Sequence, residues 1–327
     1  MIDRKRRALS FALPASLAAV LAQTVRAAPV ARPYRVVDDR GVTLRFDNAP
    51  SRLAAISYFG ADTALALGVQ PIASTFLVRS QRPTYLLDRM DRVIDLGQRA
   101  SPNLELLASA RVDLIVAIRR YTEANAARLR QIAPYLALDL ETGDDSDRSI
   151  ALVGVALGRA DAAAALNRRF ADVLAGFRAR AGMRRAPRYL FVWRAGVAPW
   201  AFYDENMTCL LLNALGGANV AGHNPLPSQR DNTAFQMSLE TLLLAKPDTI
   251  FVYDDSGRRG FETNPVWQHL ASTRRVRIVS VGDHRIESIG PIARHAVLAE
   301  AAGFLHPDVF VPPDLREISS LYLTRAA

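Results

Sequence analysis

Arginine and aromatic side chains directly follow several predicted strands, and these are the positions where the residue types suggest ligand chemistry. Arg99 and Tyr121 each follow a predicted strand in the N-terminal half. Tyr58 follows the first strand of that half, and the Trp193–Arg194 pair follows the first strand of the C-terminal half. Ligands in open α/β sheets bind at the carboxyl ends of the strands. A guanidinium offers ligand oxygens a planar fork of donors, and a phenol adds one hydroxyl to an apolar ring.

Residue types that support catalysis or metal binding are present but are not arranged for either. Cys209 is the single cysteine, which excludes an intramolecular disulfide and a thiolate metal cluster. No Ser-His-Asp elbow, phosphate-binding glycine loop or paired-carboxylate motif occurs in the sequence. The histidines are too far apart for metal-ligand spacing: His223, His269, His284, His295 and His306. We therefore predict no catalytic residue, no metal site and no cofactor.

A short helix that leads into a buried strand occurs twice, once in each half of the chain. A Leu-Glu pair opens each predicted helix, with the glutamates at Glu105 and Glu240. An aspartate follows each glutamate after eight residues, at Asp113 and Asp248, and an apolar strand comes next. A repeated helix-to-strand unit predicts two similar lobes, and two lobes imply a cleft between them.

The pattern along the chain predicts an α/β fold: two Rossmann-like lobes with mostly parallel sheets, joined by one long backbone helix. Strands and helices alternate in each half, and the strands are continuous apolar runs. Between the halves no strand signal occurs, and apolar residues recur at helical spacing with a slight break near Gly158. A helix of ~30 residues spans ~45 Å, and lobes joined in this way should move little. The predicted units are an export signal (1–27), an N-terminal lobe (34–145), the interlobe helix (146–184) and a C-terminal lobe (187–325).

The first 27 residues have the composition of an export signal. A basic head, Arg4–Arg7, precedes an apolar run at 8–23 that is shorter than the roughly 20 residues needed to span a membrane. We expect cleavage after Ala27. The Arg6-Arg7 pair resembles a twin-arginine signal, with an ordinary Sec signal as the alternative. No cysteine lies near the cleavage site, so we expect a soluble periplasmic product and not a lipoprotein.

The net charge of +9 does not indicate a nucleic-acid partner. The first 27 residues hold five Arg or Lys and one Asp, which leaves 9 − 4 = +5 on the remainder. The remaining basic residues are spread along the chain and form no stripe interleaved with aromatics.

Two stretches resemble a known class of proteins. The segment VIDLGQRASPNLELL at 93–107, with the downstream Tyr121, and the segments NPVWQHL and RRVRIVSV at 264–281 are similar to those of the helical-backbone periplasmic substrate-binding proteins. That class serves ABC importers of ferric siderophores, haem and cobalamin. The first segment most resembles the hydroxamate-siderophore, or ferrichrome-type, binding proteins.

The resemblance implies a function and specific positions. The protein would not be an enzyme: it would capture a ferric siderophore in the cleft as a monomer and deliver it to an ABC permease in the inner membrane. Arg99 and Tyr121 would contact the ligand, and Tyr58 would line the pocket. Glu105 and Glu240 would dock onto the permease, although a carboxylate in a first helical turn also interacts favourably with the helix dipole. Trp193 and Arg194 occupy the symmetric place in the second lobe.

Some positions depart from the ferrichrome-type pattern. Those proteins have additional tryptophans in the pocket. Here the position opposite the cleft is Asn232, and Arg285, Glu287 and Arg294 place charge where those proteins have a tryptophan. We therefore expect a more polar and more cationic pocket, for a hydroxamate or mixed-type siderophore, with a citrate-bearing one also compatible. Haem or cobalamin binding is the alternative within the class, with Tyr121 or Tyr58 as an axial ligand for haem. An exported two-lobed α/β enzyme is the alternative outside it.

Overall fold

A computed structural model describes eight segments of the 327-residue chain. They are residues 33–77, 81–182, 187–193, 197–226, 228–229, 233–253, 260–273 and 275–323. The predicted export signal, Arg194 and Asn232 lie outside the described residues.

The N-terminal lobe is built on a parallel five-stranded sheet. Its strands, with those of two short hairpins, are β1 (Tyr34–Val37), β2 (Thr43–Phe46), β3 (Leu53–Ile56), β4 (Ala73–Ser74), β5 (Ile94–Asp95), β6 (Gly97–Gln98), β7 (Ser101–Pro102), β8 (Leu114–Ile118) and β9 (Tyr135–Leu138). Its helices are α1 (Tyr58–Ala66), α2 (Leu104–Ser109), α3 (Arg119–Thr122), α4 (Ala126–Ile132) and α5 (Gly143–Ala156). The sheet order is β5-β4-β3-β8-β9, which places the topological switch point between β3 and β8.

Both faces of this sheet are covered, as the apolar strands predict. β3, β8 and β9 are buried at every residue, and alternate side chains of β8 and β9 enter two different core clusters. One cluster includes Phe59 and Ile150, from α1 and α5, and the other includes Leu107 and Leu129, from α2 and α4. The polar backbone of the strands is satisfied by the parallel ladder, so the sheet can be apolar on both sides.

One helix, α6 (Ala160–Ala181), connects the two lobes. It is shorter than the predicted range 146–184, because the chain turns at Gly158, where φ is +65°. The side chain of Asn167 in α6 donates a hydrogen bond to the carbonyl of Asp147 near the start of α5, at 2.8 Å, so the two helices run antiparallel. Helix α5 therefore belongs to the N-terminal lobe, and α6 alone, about 33 Å long at 1.5 Å per residue, contacts the cores of both lobes.

The C-terminal lobe repeats the parallel arrangement and adds an antiparallel edge. Its strands are β10 (Arg188–Trp193), β11 (Trp200–Phe202), β12 (Ala218–Asn219), β13 (Ala234–Gln236), β14 (Thr249–Tyr253) and β15 (Arg277–Val281). The remaining helices are α7 (Met207–Ala214), α8 (Leu239–Ala245), α9 (Pro265–Ser272), α10 (Pro291–Leu305) and α11 (Leu315–Ser320). Strand β10 pairs in parallel with β14 and β12 and antiparallel with β11. The predicted α/β class with two mostly parallel lobes is confirmed.

Short 3-10 helices complete the described structure. They are Thr84–Met90, Glu123–Asn125, Gly260–Thr263 and Asp283–Arg285.

The last part of the chain returns to the N-terminal lobe. Helix α11 places Ile318 in a core cluster with Tyr85 and Leu86, and the hydroxyl of Ser319 donates a hydrogen bond to the carbonyl of Tyr85 at 2.5 Å. The start of α10 enters the same cluster through Ile292. The last described residues of the predicted C-terminal lobe, 187–325, therefore pack against the N-terminal lobe.

The sequence repeat has a common structural basis in the two lobes. A residue with positive φ follows each helix of the repeat. Arg111, two residues after α2, has φ +48°, and Lys246, directly after α8, has φ +47°. Two residues later, the carboxylates of Asp113 and Asp248 accept hydrogen bonds from the backbone N–H of Arg52 and Arg188, at 2.8 Å each. Each aspartate thus joins its own strand to the start of the central strand of its sheet.

Candidate ligand-binding cleft

A cleft of about 500 Å³ lies between the lobes, at the carboxyl ends of the strands. Both lobes contribute to its lining, which includes aromatic, amide and guanidinium side chains. The lining residues are Leu77, Gln98, Arg99, Arg120, Tyr121, Trp193, Trp200, Phe202, Asn206, Thr233, Ala234, Tyr253 and Ile286. This volume is in the range of small-molecule sites.

The wall in the N-terminal lobe is centred on Tyr121. Arg99 lies at the tip of the β6–β7 hairpin, and its guanidinium carbon is 3.7 Å from the centre of the Tyr121 ring. The guanidinium carbon of Arg120 is 4.6 Å from the same ring, and its Nη2 donates a hydrogen bond to the Tyr121 hydroxyl at 2.7 Å. Arg99 and Tyr121, which the sequence predicts as ligand contacts, are therefore brought together in one stack.

Carboxylates lie behind both arginines of this wall. Arg99 forms an ion pair with Glu287, and Arg120 forms one with Glu141. The second carboxylate oxygen of Glu287 accepts a hydrogen bond from the backbone N–H of Phe59 at 3.1 Å. Since Glu287 follows β15 and both its partners belong to the N-terminal lobe, this pair links the lobes at the base of the cleft.

The wall in the C-terminal lobe is aromatic. Trp193 of β10 and Trp200 of β11 are direct cross-strand partners and are 40% and 38% exposed. The ring of Phe202 stacks on Phe191 at 4.7 Å, which fixes Phe202 against the core. Tyr253 reaches the cleft from the carboxyl end of β14. Trp193 thus lies where the sequence predicts a cleft residue.

Tyr58 is placed differently from the expectation. Ser57 caps α1, its hydroxyl accepting from the N–H of Gly60 at 3.0 Å, so the helix begins at Tyr58 and not after a loop. The Tyr58 ring is buried and packs on Phe76, and its hydroxyl accepts from the N–H of Leu77 at 3.2 Å. Tyr58 therefore supports Leu77, which lines the cleft, and does not itself line the pocket or offer haem an axial ligand.

The extra arginines expected in the pocket are also elsewhere. Arg285 is fully buried in the C-terminal lobe, where it pairs with Glu300 at 2.8 Å and lies over the ring of Phe251. Arg294 on α10 is 1% exposed and pairs with Asp147 of α5 at 2.6 Å. The expectation of a more cationic pocket, so far as it rested on these two arginines, is wrong, because both are neutralised inside the protein.

Glu105 and Glu240 are exposed in the first turns of α2 and α8. Their helices begin in the same way: the side chain of Asn103 accepts from the N–H of Leu106, and that of Ser238 from the N–H of Thr241. The two carboxylates therefore occupy equivalent positions on the two lobes.

Several cleft residues were missed by the sequence analysis. Tyr253 follows a predicted strand, and the rule that selected Tyr121 would have found it. Gln98 lies beside Arg99 on a hairpin too short to be predicted, and Thr233 and Ala234 lie at β13, an edge strand without a strong apolar signal. Asn206 is the N-cap of α7, with its side chain accepting from the N–H of Thr208 at 3.0 Å.

Within the described segments, no group of three or more His, Cys, Asp or Glu side chains is arranged to hold a metal ion. None of the helices in the same segments is long and apolar enough to cross a membrane.

The described chain thus forms a two-lobed α/β fold with an interlobe cleft at the strand ends. The chain belongs to the family described as periplasmic binding protein, whose model matches residues 53–284. A curated relative, the Fe(3+) dicitrate-binding periplasmic protein FecB of Escherichia coli, is 24% identical over 83% of this chain and 90% of its own.

Solved structures agree with the fold. Staphylococcus aureus SirA complexed with staphyloferrin B has a TM-score of 0.64 and 21% identity, over 81% of this chain and 96% of that one. The siderophore-binding protein FhuD of Vibrio cholerae, with Fe3+-Desferal bound, has a TM-score of 0.58 and 18% identity, over 78% and 97%.

Proposed function

We propose that this protein captures a ferric siderophore, of hydroxamate or mixed-ligand type, in the interlobe cleft and delivers it to an ABC permease. The observation that carries the proposal is the stack of Arg99 on Tyr121 at the wall of a cleft of about 500 Å³. Guanidinium N–H groups suit the oxygens of a ferric chelate, and aromatic rings suit its organic backbone. The ligands named for FecB and FhuD, both ferric, support this choice.

The proposed role is binding and transport, not catalysis. FecB and FhuD, two of the proteins that the chain resembles, are named as binding proteins. The location outside the cytoplasm is supported by the family and by the basic and apolar composition of residues 1–27. Within the same proposal, Glu105 and Glu240 present one negative charge per lobe to basic residues of the permease.

Tryptophan fluorescence provides the test of this function. Trp193 and Trp200 line the cleft, whereas Trp267, the third tryptophan of the chain, is buried against Phe261 in the C-terminal lobe. A bound ferric chelate should quench the first two strongly. We expect saturable quenching by ferrichrome or ferrioxamine B, largely lost in the Trp193→Phe/Trp200→Phe double variant.

Haem, cobalamin and ferric citrate serve as competing ligands in the same titration. Saturable binding of haem or cobalamin, with no response to any ferric chelate, would refute the siderophore proposal. An Arg99→Ala variant should weaken binding of the chelate by about tenfold or more, since a charge-assisted hydrogen bond contributes about 1.5–3 kcal/mol.

A further inference from the structure

Arg99 and Arg120, the arginines of the cleft lining within the described residues, are each paired with a carboxylate that lies deeper in the protein. The side chains of Arg99 and Arg120 are 22% and 29% exposed, and those of their partners Glu287 and Glu141 are 4% and 9% exposed. The guanidinium groups line the cleft, and the compensating negative charges lie behind them. The described wall of the N-terminal lobe therefore presents hydrogen-bond donors with little net charge.

Glu287 is fixed independently of any ligand. One carboxylate oxygen accepts from Arg99, and the other accepts from the backbone N–H of Phe59 at 3.1 Å. Phe59 is fully buried in α1, so this second partner does not move away when Arg99 engages a ligand. The negative charge is thereby held within contact distance of the Arg99 guanidinium.

The charge of Glu287 matters because interactions near a partly buried guanidinium are weakly screened. An unpaired guanidinium would attract a polyanion far more strongly than a neutral acceptor. A paired guanidinium keeps its remaining N–H donors but loses most of its preference for anionic ligands. We propose that Glu287 is a specificity-determining residue: it makes the cleft select oxygen-rich ferric chelates of low net charge over polyanionic ones. This inference rests on the proposed function and specifies its ligand class.

A ligand-free measurement tests the electrostatic part. Iodide, an anion, and acrylamide, a neutral molecule, quench exposed tryptophans, and Trp193 and Trp200 report on the cleft. At constant ionic strength, the ratio of iodide to acrylamide quenching should rise in Glu287→Gln. It should not rise in Glu317→Gln, which removes the same charge from the exposed face of α11. An unchanged ratio in Glu287→Gln would overturn the inference without reference to any siderophore.

Titration with chelates of different charge tests the selectivity. We expect the affinity of Glu287→Gln, relative to the wild-type protein, to rise for anionic ferric dicitrate, change little for neutral ferrichrome and fall for cationic ferrioxamine B. The expected separation is about tenfold for each unit of ligand charge, as for charges several ångströms apart in a medium of intermediate dielectric constant. An equal change for all three would indicate a structural role only and would overturn the inference.

Two comparisons separate the remaining outcomes. Glu287→Asp keeps the charge on a shorter side chain, so it should retain the wild-type order of the three ligands even where all affinities fall. If it instead reproduces the altered order of Glu287→Gln, geometry and not charge sets the selectivity. If the wild-type protein binds none of the chelates, the proposed function fails, and the iodide comparison alone then decides whether Glu287 sets the charge of the cleft.

Discussion

Tyr121 is the residue on which the two cleft arginines converge. Arg99 lies 3.7 Å from its ring centre and Arg120 lies 4.6 Å from it. A cation over an aromatic face contributes about 0.5–1 kcal/mol at exposed sites and about 2 kcal/mol when desolvated. The ring therefore contacts both guanidinium groups, and the hydroxyl accepts a hydrogen bond from Arg120 as well.

The ring and the hydroxyl of Tyr121 can be separated by substitution. Tyr121→Phe keeps the stack and should reduce chelate affinity by only a few-fold, whereas Tyr121→Ala removes it and should reduce affinity by about tenfold or more. Fluorescence titration of both variants measures the difference. Equal losses would mean that the hydroxyl, and not the ring, makes the important contact.

Glu300 is a carboxylate outside the cleft that two neighbouring side chains stabilise. It accepts from Nε of Arg285 at 3.0 Å and contacts Nε2 of His284 at 2.7 Å. Burial acts to raise the pKa of Glu300, but the charges and hydrogen bonds of these two residues outweigh it and lower the pKa to about 2.

The lowered pKa predicts that the contribution of Glu300 to the free energy of unfolding depends on pH. Because the folded pKa of Glu300 lies below its ordinary value of 4.5, its contribution is fully present above pH 4.5 and is lost as pH falls toward about 2. Since each pKa unit corresponds to 1.36 kcal/mol, Glu300 contributes about 3 kcal/mol to the free energy of unfolding at neutral pH. Urea unfolding at pH 7 and pH 3 should show a large loss for Glu300→Gln at pH 7 and a smaller one at pH 3. A loss that does not depend on pH would exclude this assignment.

At the scale of elements, the start of α10 joins the lobes through a buried helix cap. The carboxylate of Asp62, on α1, accepts from the backbone N–H groups of Ile292 and Ala293 at 2.9 and 2.8 Å. A side chain from one lobe thus caps a helix that leads into the other. Burial raises the pKa of Asp62 to about 7 despite these hydrogen bonds and the charge of Arg294.

This capping requires a glycine at position 290. A Cβ atom there would lie 2.4 Å from Oδ2 of Asp62, which is fully buried and held on both oxygens. Gly290→Ala should therefore destabilise the protein by about 1–3 kcal/mol, through strain or loss of the cap. Thermal or urea unfolding measures the effect.

Gly176 provides the matched control for this substitution. It lies in α6 with no heavy atom within 4 Å of an added Cβ, so Gly176→Ala should be neutral or stabilising by about 0.5–1 kcal/mol. Similar behaviour of the two alanine variants would show that the close approach at Gly290 is not required.

At the scale of the whole molecule, more than one element connects the lobes. Helix α6 spans both, α10 is capped by the N-terminal lobe, and α11 packs on that lobe after the chain has left the other. The Arg99–Glu287 pair adds a contact at the base of the cleft. Separating the lobes would break several buried interactions at once.

These connections predict a small movement on ligand binding. Small-angle X-ray scattering of the free and ligand-saturated protein should give radii of gyration that agree to within about 1 Å, because a tilt about rigid helices changes the envelope little. A large compaction on binding would contradict the role assigned to α6 and α10.

The proposed docking to a permease also belongs to this scale, because it would use a carboxylate of each lobe. Glu105→Ala/Glu240→Ala should leave chelate affinity unchanged and abolish uptake in cells, since the two carboxylates lie outside the cleft lining. Substituting Glu317 and Asp161, exposed carboxylates on α11 and α6, controls for loss of charge. A loss of chelate affinity in the double variant would assign these residues to ligand binding instead.

The sequence by itself determined the class of fold and the edge of each sheet where a site forms. Continuous apolar strands require a parallel sheet covered on both faces. The positive-φ residue and the aspartate that follow each helix of the repeat are local features of the chain. The rule that ligands bind at strand ends needs no tertiary information, so together with the family resemblance it placed Arg99, Tyr121 and Trp193 near the cleft that they line.

Only the tertiary structure decided which charged and aromatic residues reach the cleft. Arg285 and Arg294 are buried because Glu300 and Asp147 approach them from other elements, Asp147 lying far away in the sequence. Tyr58 turns inward because Ser57 caps α1 one residue earlier. Glu287 meets Arg99 only when the lobes are assembled. The physical reason is that a strand end is set by local pattern, whereas the environment of a charge depends on partners brought together by folding.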